Sequence, residues 1–534
     1  SDEENVTPKL WLQKSPTGDA TVSGETIAES FVNRARTSAK DIAVADQLSG
    51  VLNYRRLLVG AELMARRFRK LKGESVGLML PASVAADISF LALHLAGKTP
   101  VILNWTTGPA ALNHAVSSLN VRHVVTSHKF VDRLGIQIEG SEYTYLEDVK
   151  QTIGKAEKLT TLLRAIFLPT SFLPEKQDTH RPAAVLFTSG SESTPKAVPL
   201  SHHNLITNVR EAIEVLGFQR SDSLLGFLPP FHSFGLTGNM LFCLLGGVRL
   251  VHYPDPTNAR GLVGMMISYR PTLLFATPTF LTYIISVAED DDLKSLKFVV
   301  MGAEKCPDAL REECARRLPH VTLLEGYGIT ECSPVVSTNR PSMNKPGSIG
   351  VPLSSLETAI VHPETREPLP DGATGLLLVR GESIFAGYLE YEGPDPFVEY
   401  NGKKWYNTGD LVRQDEDGFL FFEGRLKRFI KSGGEMISLP ALEGPFQVQF
   451  PPNEDGPRVA VEGIETESGG RCVVLFATVE VTLIEANKLL STSGFRGVMR
   501  LDDVQKIDTI PVLGTGKIDY KLLRQQILTE ASQA

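Results

Sequence analysis

No uninterrupted apolar run in the 534-residue sequence approaches the ~18 to 20 residues of a membrane-spanning helix, so a spanning segment is not expected. Cysteine is scarce. The five present, Cys243, Cys306, Cys314, Cys332 and Cys472, are odd in number, scattered and never spaced CxxC. This argues against a disulfide framework and against a structural zinc site, and it suits a reducing cytosol. There is no basic excess either: 54 Lys and Arg stand against 62 Asp and Glu, a net charge of -8. A general nucleic-acid binder normally shows the opposite balance, so no nucleic-acid partner is expected. Internal repeats and low-complexity tracts are lacking, as is a charged-then-apolar leader. The chain opens on Ser1 rather than Met, as a fragment or a processed chain would.

What is present is a long, 42% hydrophobic chain, enough for two or more domains with large cores. From Ser75 to about Leu324 short apolar runs such as VGLML, TPVILN, AAVLF, PTLLFA and KFVVMG alternate with helical patterns such as SVAADISFLALHLAG. That alternation predicts an α/β fold with largely parallel sheets. From Gly347 to Phe422 turns and short strands predict a β-rich, barrel-like subdomain (about 345–424). Past GRLKRFIKSGGE a further unit of ~100 residues begins, near the usual domain size. One segment stands apart: in KLTTLLRAIFLPTSFLP (158–174), Leu159, Leu162, Leu163, Ile166 and Phe167 follow helical spacing before Pro169 stops the helix. Such a helix either packs on its own core or lies on a membrane surface.

In open α/β sheets ligands gather at the carboxyl ends of strands, and TSGSESTPK, FLPPFHSFG, MGAEKC and EGYGITE each follow a strand-like run. TSGSESTPK (188–196) crowds hydroxyls around one glycine, between AAVLF and the helix-like SHHNLITNVREAIEVL. It reads either as a cradle for phosphate oxygens or as an ordinary strand-to-helix loop. A Walker-type loop is excluded, because Lys196 follows Pro195 and precedes Ala197.

Five stretches taken in order, TSGSESTPK, EGYGITE (325–331), YNTGD (406–410), GRLKRFIKSGGE (424–435) and PVLGTGK (511–517), decide between those readings. Together they resemble the adenylate-forming superfamily of acyl-CoA synthetases, acyl-carrier-protein ligases, nonribosomal adenylation domains and luciferases. VLNWT, TSGSES and GEMISLPALE are most similar to bacterial acyl–acyl-carrier-protein synthetases. The resemblance implies a large N-terminal adenylation domain (1–426) and a small mobile α+β domain (427–534) hinged at Lys427. It implies ATP and Mg²⁺ as cofactors. It also implies a two-step reaction in which a fatty acid becomes acyl-AMP and then a thioester on the phosphopantetheine of acyl carrier protein, or on coenzyme A. A nucleotide-binding scaffold without catalysis is the contrasting class. Retained Lys517, Glu331 and Thr188 argue against it, since a pure binder has no use for charge that serves a transition state.

Residue by residue, the resemblance assigns Thr188, Ser189, Gly190, Ser191 and Lys196 to the phosphate loop. Lys517 bridges the carboxylate and the α-phosphate; Thr330 meets a phosphate oxygen; Glu331, with Thr188, holds Mg²⁺. Tyr327, between Gly326 and Gly328, stacks on adenine opposite Gly302, Ala303 and Glu304, while Asp410 and Arg425 meet the ribose. His232 is the aromatic gate at the acyl carboxylate. Gly235, Met240 and Met301 are candidates for the acyl pocket, and Gly433, Gly434 and Glu435 for the thiol channel. Two departures stand out. Ser193 and Ala197 replace glycines that are usual in the loop, and Lys427 stands where an Asp is common, forming with Arg428 and Lys431 a basic cluster suited to an acidic carrier. A cytoplasmic enzyme is expected, peripheral at the inner membrane if 158–174 meets lipid.

Overall fold

The computed structural model describes residues 8–175, 178–188, 195–289, 291–432, 435–453, 455–465, 471–513 and 516–531. Two large sheets carry the first two-thirds of the chain. One has six strands in the order Glu142–Tyr145, His123–Thr126, Ser75–Leu78, Thr99–Ile102, Pro182–Thr188, Lys196–Ser201, parallel except for the last pair. The other has nine, with Thr322–Gly328, Phe298–Met301, Leu273–Ala276, Ser223–Gly226 and Arg249–His252 as a parallel centre. Strands 223–226, 249–252 and 273–276 are buried at every position, as parallel strands covered on both faces must be. Helix starts follow from the sequence. Ser83 accepts from Ala86 N, Ser201 and Asn204 form a reciprocal cap, and Thr277 with Pro278 opens the helix Pro278–Val287.

One expectation needs correction. TSGSESTPK does not join a strand to a helix; it joins two antiparallel strands in which Thr188 faces Lys196, and the helix His202–Leu216 begins only after the second. The β-rich unit is an antiparallel sheet of Leu356–Val361, Gly375–Gly381, Lys403–Gln414, Phe397–Tyr400 and Leu420–Arg425. In it Lys403–Gln414 pairs with Gly375–Gly381, Phe397–Tyr400 and Leu420–Arg425, and Leu356–Val361 pairs with Gly375–Gly381.

The C-terminal part has cores of its own. The hairpin Phe429–Ser432/Glu435–Ser438, the three-stranded sheet Val459–Glu465, Arg471–Ala477, Asp503–Lys506 and three helices bury one cluster around Phe446 and Leu475 and another around Phe476 and Leu523. The fold is thus α/β, with a large N-terminal domain of mixed sheets and a smaller C-terminal domain. Among the described residues no helix is long and apolar enough to cross a membrane.

Candidate active site

The strand Thr322–Gly328 leaves the parallel centre and turns back on Val335–Thr338. The turn requires glycine at 328, where a Cβ would lie 2.5 Å from the Pro334 carbonyl oxygen. Asn208, fully buried on the helix His202–Leu216, clamps the segment. Its amide donates to the Cys332 and Val335 carbonyls (3.3 and 2.8 Å) and accepts from Val335 N (3.1 Å). Between these clamps stand Thr330, whose hydroxyl lies 3.2 Å from that of Ser233, and the buried Glu331, whose carboxylate accepts from the Tyr388 hydroxyl at 2.7 Å. Lys196 lies over the rings of Tyr388 and Tyr391, 5.0 and 4.7 Å from their centroids. Leu389 N donates to the Ala197 carbonyl (3.0 Å), which fixes the tyrosine segment against the strand that carries Lys196. Ala197 is ordinary extended strand without positive φ, so its departure from glycine costs the backbone nothing. Thr188 ends the facing strand; Ser189, Gly190, Ser191 and Ser193 lie outside the described residues.

A second group forms across the domain. Tyr327 donates its hydroxyl hydrogen to Asp410, which faces Arg425 across the strand pair, with Arg425 Nε 3.7 Å from the carboxylate. Burial raises the Asp410 pKa, and the Arg425 charge opposes that rise. The strand Phe298–Met301 leads into Gly302, Ala303 and Glu304. Ala303 takes φ +73, a left-handed conformation uncommon outside glycine. The Glu304 carboxylate accepts from Thr279 N and Oγ1 (3.1 and 2.8 Å), and burial raises its pKa. Gly302 follows the strand Phe298–Met301 and lies beside Gly326, the residue before Tyr327 on the neighbouring strand, while the Glu304 side chain is engaged with the helix Pro278–Val287.

Lys517 belongs to the small domain yet shares a pocket with Leu228, Pro229, His232, Phe234 and Thr277 of the large one. A tight turn presents it: Gly516 N donates to the Leu513 carbonyl and Leu513 N to the Lys517 carbonyl (2.8 and 2.7 Å). Gly516 has φ +83, and a Cβ there would come within 2.9 Å of the Phe280 ring, so only glycine allows this approach. Burial, then Arg425, pushes the Lys517 pKa down to about 8, against the pull of Glu304 and Asp410. Burial, then Lys517 and Arg425, pushes His232 down to about 3. The imidazole is neutral, and its Nδ1 accepts from Phe234 N (3.2 Å), which leaves the ring proton on Nε2.

Other assignments are placed differently. Met240 and Met301 sit in the main core, and Gly235 is pressed against the Pro229 carbonyl, where a Cβ would lie 2.1 Å from its oxygen. The wall beside His232 is made instead by Phe234, Leu228 and Thr277. Gly433 and Gly434 lie outside the described residues, and only the backbone of Glu435 and Lys431 is described. The basic cluster needs correction. Arg428 is not offered to a partner: its side chain is only 14% exposed and lies 3.3 Å from Glu443 and 3.6 Å from Glu462, with its guanidinium 3.5 Å above the Tyr520 ring. Its pKa is raised by Tyr520, Glu443 and Glu462 in spite of burial. Tyr388, Tyr391, Ser233 and Thr277 were missed. The only hint is the pair of tyrosines in GYLEY, and their partners lie far away in sequence.

Known proteins give the geometry its context. A family model of the AMP-binding enzyme matches residues 31–389. The chain is 29% identical to a 4-coumarate-CoA ligase of Narcissus pseudonarcissus, over 88% of this chain and 87% of that protein. It is 26% identical to a long-chain-fatty-acid–CoA ligase of Escherichia coli O6:H1, over 97% and 98%. Its fold matches that of an anthranilate CoA ligase in complex with anthranoyl-AMP, with a TM-score of 0.79, 21% identity and coverage of 95% and 98%. It also matches the O-succinylbenzoate coenzyme A synthetase of Bacillus subtilis in complex with ATP and magnesium ion, with a TM-score of 0.78, 20% identity and coverage of 93% and 99%. With two-thirds of its length matched and the paired domains in place, the chain belongs to the AMP-binding enzyme family.

Proposed function

We propose that the protein activates a long-chain fatty acid with ATP and passes the acyl group to the phosphopantetheine thiol of acyl carrier protein. The observation that carries the first half is Lys517, drawn from the small domain into the His232 pocket at the strand ends of the large one. In adenylation, a carboxylate oxygen attacks the α-phosphorus, the bond to the β-phosphate bridging oxygen breaks, and pyrophosphate leaves. Two anions must approach, so fixed positive charge is the main requirement. Lys517 supplies it between carboxylate and α-phosphate, and neutral His232 shields the acyl carboxyl without adding a second charge. Lys196 and Thr330 hold the outer phosphates, while Tyr327, Asp410 and Arg425 hold the nucleoside.

Mg²⁺ fits the residues present: Glu331 offers one buried carboxylate, fixed by Tyr388, and Thr188 a hydroxyl. Magnesium commonly takes one or two carboxylates, with phosphate oxygens and water supplying its other ligands. When bound, it neutralises phosphate charge.

In the second step the thiol sulfur attacks the acyl carbon, the acyl–phosphate oxygen bond breaks, AMP leaves and the thiol proton goes to solvent. Lys517 and the loop 431–435 cannot both serve one pose, so the small domain turns about Lys427, dividing the chain at 426/427. Support comes from the chain's fastenings. Arg425 is tied to Asp410 and Leu426 packs on the sheet of the β-rich unit, whereas Arg428 is paired within the small domain and Arg524 donates to the Lys427 carbonyl (2.9 Å). The anchoring thus changes hands around Lys427, although Phe429 still touches the core of the β-rich unit.

The carrier-protein acceptor rests on the local resemblance of VLNWT, TSGSES and GEMISLPALE; the pairing of Arg428 with Glu443 and Glu462 removes part of its electrostatic argument. Coenzyme A is the second reading, favoured by relatives that are CoA ligases. Thioester formation from one fatty acid, offered equimolar carrier protein and coenzyme A, tests this. The proposal expects acyl-carrier protein to dominate, and preferential acyl-CoA overturns it.

A further inference from the structure

Sixteen large apolar side chains are exposed among the described residues, and six of them fall between Leu159 and Leu168. The other ten are scattered over the rest of the chain. Leu159, Leu162, Leu163, Ile166, Phe167 and Leu168 are 36 to 74% exposed, on the helix Lys155–Phe167 and the residue after it. This helix is inverted relative to an ordinary amphipathic one. What it turns inward is small or polar: Thr161 and Ala165 are buried, and its one acid, Glu157, is held by Arg66 and Arg67 of the helix Tyr54–Phe68. Arg164 is drawn back over Phe172 (4.8 Å) and onto Ser171. Outward it shows an apolar stripe at i, i+3, i+4 and i+7 (Leu159, Leu162, Leu163 and Ile166), preceded by exposed Lys155 and Lys158.

We propose that this face docks flat on an anionic lipid bilayer, the apolar stripe entering the acyl boundary and the two lysines meeting headgroup phosphates. Thirteen residues make a helix of about 20 Å, too short to cross a bilayer. Contiguous exposed apolar side chains mark interaction surfaces where isolated ones do not, and leucine and phenylalanine flanked by lysine is the composition of an interfacial helix. Charge complementarity favours the anionic lipid: a chain of net charge -8 is repelled by such a surface except where its acids are tied inward, as Glu157 is. The docking stands apart from the catalytic proposal, which it would serve by bringing the site to acids dissolved in the bilayer.

Flotation of the full chain with vesicles of phosphatidylethanolamine and phosphatidylglycerol tests it. The wild-type chain is expected to float with them, more weakly with phosphatidylcholine alone and more weakly as salt rises. Leu162→Gln/Leu163→Gln/Phe167→Gln should lower bound protein by ~10-fold or more, and Lys155→Glu/Lys158→Glu should remove the preference for phosphatidylglycerol. All changes are at exposed positions, so an unchanged thermal unfolding midpoint certifies the fold whatever the protein's reaction proves to be. Absence of flotation by the wild-type chain overturns the proposal, as does equal flotation of the triple variant. A concentration-dependent dimer that the triple variant abolishes, with no flotation, would make the face a protein interface and overturn it too.

Discussion

Lys517 and His232 come from different domains and line one pocket, and the lysine's charge is among the causes that keep the imidazole neutral. If that pocket is where the carboxylate meets the α-phosphate, the lysine is the group whose loss is felt in one half-reaction only. Lys517→Ala should cut acyl-AMP formation by ~10² or more, the scale for removing a fixed charge-stabilising group. Thioester formation from supplied acyl-AMP should survive. Single-turnover measurement of each half-reaction checks this.

The pH dependence follows from the same pair. Lys517 is charged below its pKa of about 8 and loses its proton as pH rises through that value. The adenylation kcat/KM, which reports groups of the free enzyme, should therefore fall on the alkaline side of about 8. His232, neutral above about 3, should add no limb near 6.5. A pH profile from 5.5 to 9.5, about the range a globular enzyme tolerates, decides it; an acid limb near 6.5 abolished by His232→Phe would show that the imidazole titrates.

How much of this was legible is best judged from particular residues. The parallel centre was, because strands such as PTLLFA and KFVVMG are buried on both faces and read as continuous apolar runs. The strand Lys196–Ser201 was not, since Pro199 breaks the strand pattern. It is tolerated because this strand is the edge of its sheet. Glycines 328 and 516 were legible as motif positions; the Pro334 carbonyl that forbids a side chain at 328 lies in the same turn, whereas the Phe280 ring that forbids one at 516 comes from a remote segment. Arg428 was misread because a charge count cannot tell a solvated arginine from a paired one, and its partners Glu443 and Glu462 arrive only with the fold.

That pairing has a stability consequence. Arg428→Ala leaves Glu443 buried without its cation, while Glu462 keeps Arg524 at 2.7 Å, so the loss falls at or below the low end of the about 3–5 kcal/mol typical of a broken buried ion pair. The small domain should then unfold at lower denaturant concentration than the large one. Denaturant titration followed by limited proteolysis reads the separation; coincident transitions at the wild-type midpoint would contradict it.

Tyr388 acts through Glu331. Tyr388→Phe removes the donor that orients the carboxylate, and groups behind a metal ligand typically govern 10- to 100-fold in metal affinity or activity. The Mg²⁺ concentration for half-maximal adenylation should rise by about 10-fold or more, with the fatty-acid KM unchanged. Magnesium titration at saturating ATP checks it.

The hinge predicts the mirror image of the lysine variant. Lys427→Pro fixes φ near the proline value and obstructs rotation between the Asp410–Arg425 anchor and the Arg428 anchor. Acyl-AMP should form at close to the wild-type rate while transfer to the thiol slows by ~10-fold or more, the scale of a gating step made rate-limiting. Transfer at the wild-type rate would place the hinge elsewhere.

Fatty-acid-dependent ATP–pyrophosphate exchange tests the central claim most directly, because it requires acyl-AMP and pyrophosphate on the enzyme and needs no acceptor. The account predicts exchange that depends on a long-chain acid and on Mg²⁺, needs neither carrier protein nor coenzyme A, and is nearly lost in Lys517→Ala. Exchange that is absent with every acid, or release of ADP in place of AMP and pyrophosphate, would contradict it.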